Sequence, residues 1–100
     1  MLMKLHHSCS MNQAMHPNLQ SARTCKIGVV FQKRRLLMSL SESEVALQTI
    51  INIDYIQAIE SGDYSVFPAR VFAIQYFRKY AGFLGLKLEF FDIYNLDKPQ

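Results

Sequence analysis

The residues able to do chemistry in this 100-residue chain fall into separate groups. His6, His7, His16, Cys9 and Cys25 could bind a metal or act as nucleophiles, but all lie in the first quarter and none shows a recognised ligand spacing. With only two cysteines there is no disulfide framework, so both are expected as reduced thiols. No histidine occurs after His16, so a general acid–base site would have to be built from scattered carboxylates alone. No glycine-rich phosphate loop occurs. The expectation is a non-enzymatic chain with no cofactor, no metal and no small-molecule substrate. What remains is recognition chemistry. Asn52, Tyr55 and Gln57 carry polar groups of the kind that read base edges, Asn and Gln pairing with adenine. Phe72, Tyr76, Lys79 and Phe83 recur at helical spacing and could form an aromatic contact patch.

Those groups need a scaffold, and the chain can supply one. Half of the residues are hydrophobic and 19% are charged, a balance that supports a single core. There is no run of about 20 apolar residues to span a membrane and no apolar stretch typical of a secretory signal, so a cytoplasmic location is expected. Residues 1–25 lack helical or strand periodicity and read as a flexible, dispensable leader. Residues 26–94 read as one all-α domain of five short helices, and 95–100 as a frayed tail. The first helix is expected over 27–38. Ser41 with Glu44 forms a capping box for a second at 42–49. Asp54 is expected to cap a third that stops at Gly62. Pro68 suits the first turn of a fourth that ends at Gly85. A fifth is expected over 88–94.

The segment LSESEVALQTIINIDYIQAIESGD, residues 40–63, carries the reading. Val45 and the small Ala46 face inward on one helix, a turn of about four residues follows, and Ile56 and Ile59 give the next helix its apolar side. This unit resembles the Cro/C1-repressor-type helix-turn-helix, which implies a five-helix lambda-repressor-like fold. Its flanks add specificity. Gly28, Phe31 and Arg35 precede it, and Gly62-Asp63, Phe67-Pro68 and FAIQYFRKYAGFLGL at 72–86 follow. Together they resemble the N-terminal cytoplasmic domain of the RodZ family of bacterial cell-shape proteins, over about residues 27–93. Arg34, Leu36, Ile74 and Gln75 depart from that family's usual pattern. The resemblance implies an ion pair between Arg35 and Glu60. It also implies a protein-interaction adaptor whose fourth helix docks through aromatic residues onto the bacterial actin homologue MreB, with Phe72 and Tyr76 in the matching positions. The family's membrane helix has no counterpart here, so membrane association at the inner face of the inner membrane is expected only if a longer chain carries an anchor.

Charge separates this reading from its alternative, a sequence-specific transcriptional regulator of the Cro/C1 class that would use Asn52, Tyr55 and Gln57 on DNA. Net charge is +3, but it is unevenly placed. Residues 39–63 contain Glu42, Glu44, Asp54, Glu60 and Asp63 and no lysine or arginine. The helices that should face a duplex are therefore the acidic part of the chain, whereas phosphate neutralisation supplies most non-specific DNA affinity. On the fourth helix, at about 100° per residue, Ala73, Ile74, Phe77, Tyr80, Ala81 and Leu84 form the expected core face. Phe72, Tyr76, Lys79 and Phe83 lie well away from its centre, where they would offer an acidic partner an aromatic patch with a cation.

Overall fold

The computed structural model describes residues 19–95. Four α-helices carry the body: α1 (Ala22–Leu37), α2 (Glu42–Thr49), α3 (Ile53–Ser61) and α4 (Arg70–Leu84). Short 3₁₀ turns occupy Tyr64–Val66 and Ile93–Asn95, and the described residues contain no strand.

α1 begins earlier than its apolar pattern suggests. Ser21 caps it: its Oγ accepts from the Thr24 amide at 3.1 Å, and Thr24 Oγ1 accepts from the Ser21 amide at 2.9 Å. Thr24 Oγ1 also donates to the Gly62 carbonyl at 2.8 Å, tying the first turn of α1 to the end of α3. Gln20 bridges to Asp63, and the Tyr64 amide donates to the Leu19 carbonyl at 2.9 Å. Residues 19–25 therefore belong to the packed body rather than to a leader; residues 1–18, the rest of that expected leader, lie outside the described residues, as do 96–100 of the expected tail. Cys25 is bonded in a disulfide, which corrects the expectation of a reduced thiol there. Cys9 lies outside the described residues.

α1 crosses α3 at Gly28. A Cβ built there would stand 2.2 Å from the Glu60 carbonyl oxygen, so only glycine lets the two backbones meet. α2 starts at the capping box, where Ser41 Oγ accepts from the Glu44 amide at 3.0 Å and Glu44 Oε1 accepts from the Ser41 amide at 2.7 Å. It ends on Ile50, a β-branched residue held at φ +60° in the left-handed region. Asn52, not Asp54, caps α3, its Oδ1 accepting from the Asp54 amide at 2.8 Å. Gly62 and Gly85 close α3 and α4 at φ +78° and +74°. Pro68 precedes the N-cap of α4, Ala69, which makes no side-chain cap.

The core is aromatic. Phe31 packs edge-on against Phe77 at 5.1 Å and tilted against Tyr80 at 4.9 Å between ring centres. Val45, Ile51, Ile56, Ile59, Ala73 and Leu84 close around them. Ile74, expected on the core face, is only half-buried and borders a groove with Arg70, Arg78 and Leu88.

The described residues form no α-helix over 88–94, where a fifth was expected. Residues 86–92 carry neither helix nor strand, and half-buried Leu86, Leu88 and Phe90 alternate with exposed Lys87 and Glu89. That two-residue alternation half-buries one side of the segment, and a helix would rotate it away. Phe90 packs on Phe77 and Tyr64. Arg70 grips Asp92 with contacts of 2.8–3.0 Å, and Tyr94 Oη donates to the Tyr64 carbonyl at 2.9 Å. Among the described residues, no helix is long and apolar enough to cross a membrane.

Candidate interaction surfaces

α2, the turn at Ile50–Ile51–Asn52 and α3 form a helix-turn-helix unit held by Val45, Ile51, Ile56 and Ile59. Its candidate base-reading residues are largely engaged within the chain. Asn52 is exposed, but its side chain caps α3. Gln57 is exposed and its Nε2 donates to Glu42 Oε1 at 3.1 Å. Tyr55 is half-buried, its ring stacked on Phe67 at 4.8 Å and on Tyr76 at 5.0 Å, with those two rings 6.3 Å from each other. Glu42, where a phosphate would approach, is partly desolvated, and that burial raises its carboxyl above the ordinary range. The structure thus brings Tyr55 together with Tyr76, which stands in the other candidate set, and leaves Asn52 and Gln57 at the surface.

Along α4, Phe72, Tyr76, Lys79 and Phe83 follow one another on one edge. Phe72 is 40% exposed and Lys79 is exposed, whereas Tyr76 and Phe83 are half-buried. Tyr76 is covered from the side of Tyr55 and Phe67, not by a fifth helix. Phe91 is drawn aside under Arg23, whose guanidinium carbon sits 5.1 Å from the ring centre. Val71, beside Phe72, is more exposed than the aromatic itself and was not singled out from the sequence. Its one signal is an apolar residue in the first turn that the core-face arc does not include.

Arg35 and Glu60 stand apart from both surfaces. Arg35 Nε and Nη2 donate to Glu60 Oε2 and Oε1 at 2.6 and 2.9 Å, a two-pronged pair with both side chains almost fully buried. Tyr80 Oη donates a short hydrogen bond to Glu60 Oε2. Arg35 Nη1 reaches the Leu40 carbonyl at 2.9 Å, and Glu42 lies 3.9 Å from Nη2. The hydrogen bonds that Arg35 donates to Glu60 raise its pKa further. Burial first, and the Glu60 bond second, push the Tyr80 phenol far up, so it stays a donor. Side chains so enclosed join α1, α3 and α4 and offer nothing to a ligand. Tyr80 was legible as a core aromatic, but its hydroxyl's partner was not.

The helix-turn-helix domain family model matches residues 30–90. The chain belongs to this family. In this helix-turn-helix domain the matched span runs from the third turn of α1 to Phe90, so it holds the aromatic core, the Arg35–Glu60–Tyr80 cluster and the whole α4 edge. No curated protein and no solved structure matches the chain. Among the described residues no group of three or more His, Cys, Asp or Glu side chains could hold a metal ion.

Proposed function

We propose that this helix-turn-helix domain is a protein-interaction adaptor of the RodZ type, docking the α4 edge onto an MreB-like bacterial actin filament. The observation that carries the reading is the pairing on α4 of exposed Phe72 and Val71 with exposed Lys79. An aromatic anchor, an aliphatic neighbour and a nearby cation suit an acidic protein surface. The resemblance of residues 27–93 to the RodZ family supports the choice of partner.

Family membership alone keeps sequence-specific DNA binding as a second reading. Against it stand the acids of α2 and α3, the absence of lysine and arginine from residues 39–63, and the internal engagement of Asn52, Tyr55 and Gln57.

Co-sedimentation with polymerised filament protein tests the proposal. Phe72→Ala with Lys79→Glu should abolish pelleting, since truncating an interface anchor typically weakens binding by on the order of thirtyfold, while the helical circular-dichroism signal stays unchanged. Normal pelleting of the folded double variant would refute docking through α4. A selected DNA site bound at about 10⁻⁸ M or tighter in physiological salt would establish the regulator instead.

A further inference from the structure

α1 and α2 each present an outer surface that neither the α4 edge nor the core uses. On α1, at about 3.6 residues per turn, Lys26, Val29, Val30, Lys33, Leu36 and Leu37 share the side opposite buried Thr24, Phe31 and Arg35. All six are exposed, Leu37 by 79%. The helix contains no acidic residue, so this surface is apolar and cationic. On α2 and its turn, Leu47 and Ile50 are 75% and 80% exposed. Exposed Glu44 and Asp54 accompany them, with no lysine or arginine anywhere in residues 39–63. This second surface is apolar and anionic.

α1 and α2 pack mainly on α3 and α4, and the residues of both outer surfaces stay exposed, so neither surface covers the other within one copy. We infer that the α1 face of one copy docks on the α2 face of a second copy, Leu36 and Leu37 meeting Leu47 and Ile50 while Lys26 and Lys33 meet Glu44 and Asp54. An anionic membrane would complement α1 but would leave exposed Leu47 and Ile50 on an acidic surface unexplained; a second copy accounts for both. The contact joins unlike surfaces, so each docked pair keeps one free α1 face and one free α2 face, and further copies add head to tail. The α4 edge is used by neither face, so the inference stands apart from filament docking.

Sedimentation velocity on the full chain and two surface variants provides the test. Leu36→Ser with Leu37→Ser removes the α1 face; Leu47→Ser with Ile50→Asn removes the α2 face. All four positions are exposed, and asparagine tolerates the left-handed backbone at 50. The unchanged chain should grow past two copies with concentration and dissociate as salt rises. Each variant alone should be monomeric with its circular dichroism intact. Mixed in equal amounts, the two should stop at two copies, because one supplies the only working α2 face and the other the only working α1 face. A monomeric unchanged chain at low salt, self-association of either variant alone, or a mixture that stays monomeric would overturn the inference. So would a monomeric chain that floats with phosphatidylglycerol vesicles and loses flotation on Leu36→Ser with Leu37→Ser, since that assigns the face to a membrane.

Discussion

Replacing Arg35 with methionine should be among the most damaging single changes this domain can suffer. Methionine roughly matches the buried length of the side chain but removes both donors to Glu60 and the one to the Leu40 carbonyl. The Glu60 side chain is 4% exposed, so its carboxylate would keep only the Tyr80 hydroxyl. Stranding one partner of a buried pair costs about 3–5 kcal/mol. A body of this size has a total stability of about 4–12 kcal/mol. For a domain of 60–100 residues that loss corresponds to a fall in melting temperature of roughly 12–40 °C. Urea titration followed by circular dichroism would measure it. The triple replacement Arg35→Met, Glu60→Leu, Tyr80→Phe should recover most of the loss, because it leaves no buried charge behind. A cost below about 1 kcal/mol for Arg35→Met, the level of a surface ion pair, would refute the claim that the pair is desolvated and joins the helices.

Gly28→Ala should cost about 1–3 kcal/mol or more in the same titration, since the new Cβ would meet Glu60 backbone rather than a yielding side chain. A chain beginning at Lys26 should melt well below one beginning at Leu19, because it lacks the Ser21 cap and the Thr24 bond to Gly62; equal melting temperatures would show that residues 19–25 contribute nothing. Ile50→Gly should raise stability by about 1 kcal/mol by relieving a β-branched residue at positive φ, read as a higher urea midpoint. Burial holds the folded-state pKa of Glu42 above its ordinary value of 4.5. Its contribution is therefore full below the unfolded value and lost as pH rises through the folded one. Glu42→Gln should be the more stable protein at neutral pH, with the advantage fading in acid.

The helix-turn-helix itself was legible because its signals are local. Ser41 and Glu44 cap through their own side chains, and Gly62 and Gly85 mark stops by their backbone freedom. The start of α1 was hidden because its first inward residues, Thr24 and Cys25, are small and broke no apolar rhythm; Thr24 closes its box with a hydroxyl where Glu or Gln is the usual sign. The segment after Gly85 is expected as helix over 88–94, yet Leu86, Leu88 and Phe90 keep a two-residue alternation that no helix repeats. The α4 edge was visible as a helical spacing. Which of its rings remain open was not, since that depends on Tyr55 and Phe67, which arrive from elsewhere in the chain. Partners fixed by tertiary folding, such as Tyr80 on Glu60, leave no mark in local sequence.

Both ends of the described chain are fastened to one residue. Leu19 accepts from the Tyr64 amide, and Tyr94 donates to the Tyr64 carbonyl. Entry and exit are therefore both tied to the turn at Tyr64, one through its backbone carbonyl and the other through a side-chain hydroxyl. The same arrangement sets how it bears load. Tension applied across residues 19 and 94 would fall first on two hydrogen bonds at Tyr64 and only later on the helices, so the body should yield to a pull at its ends by peeling from that point, with its aromatic centre still packed.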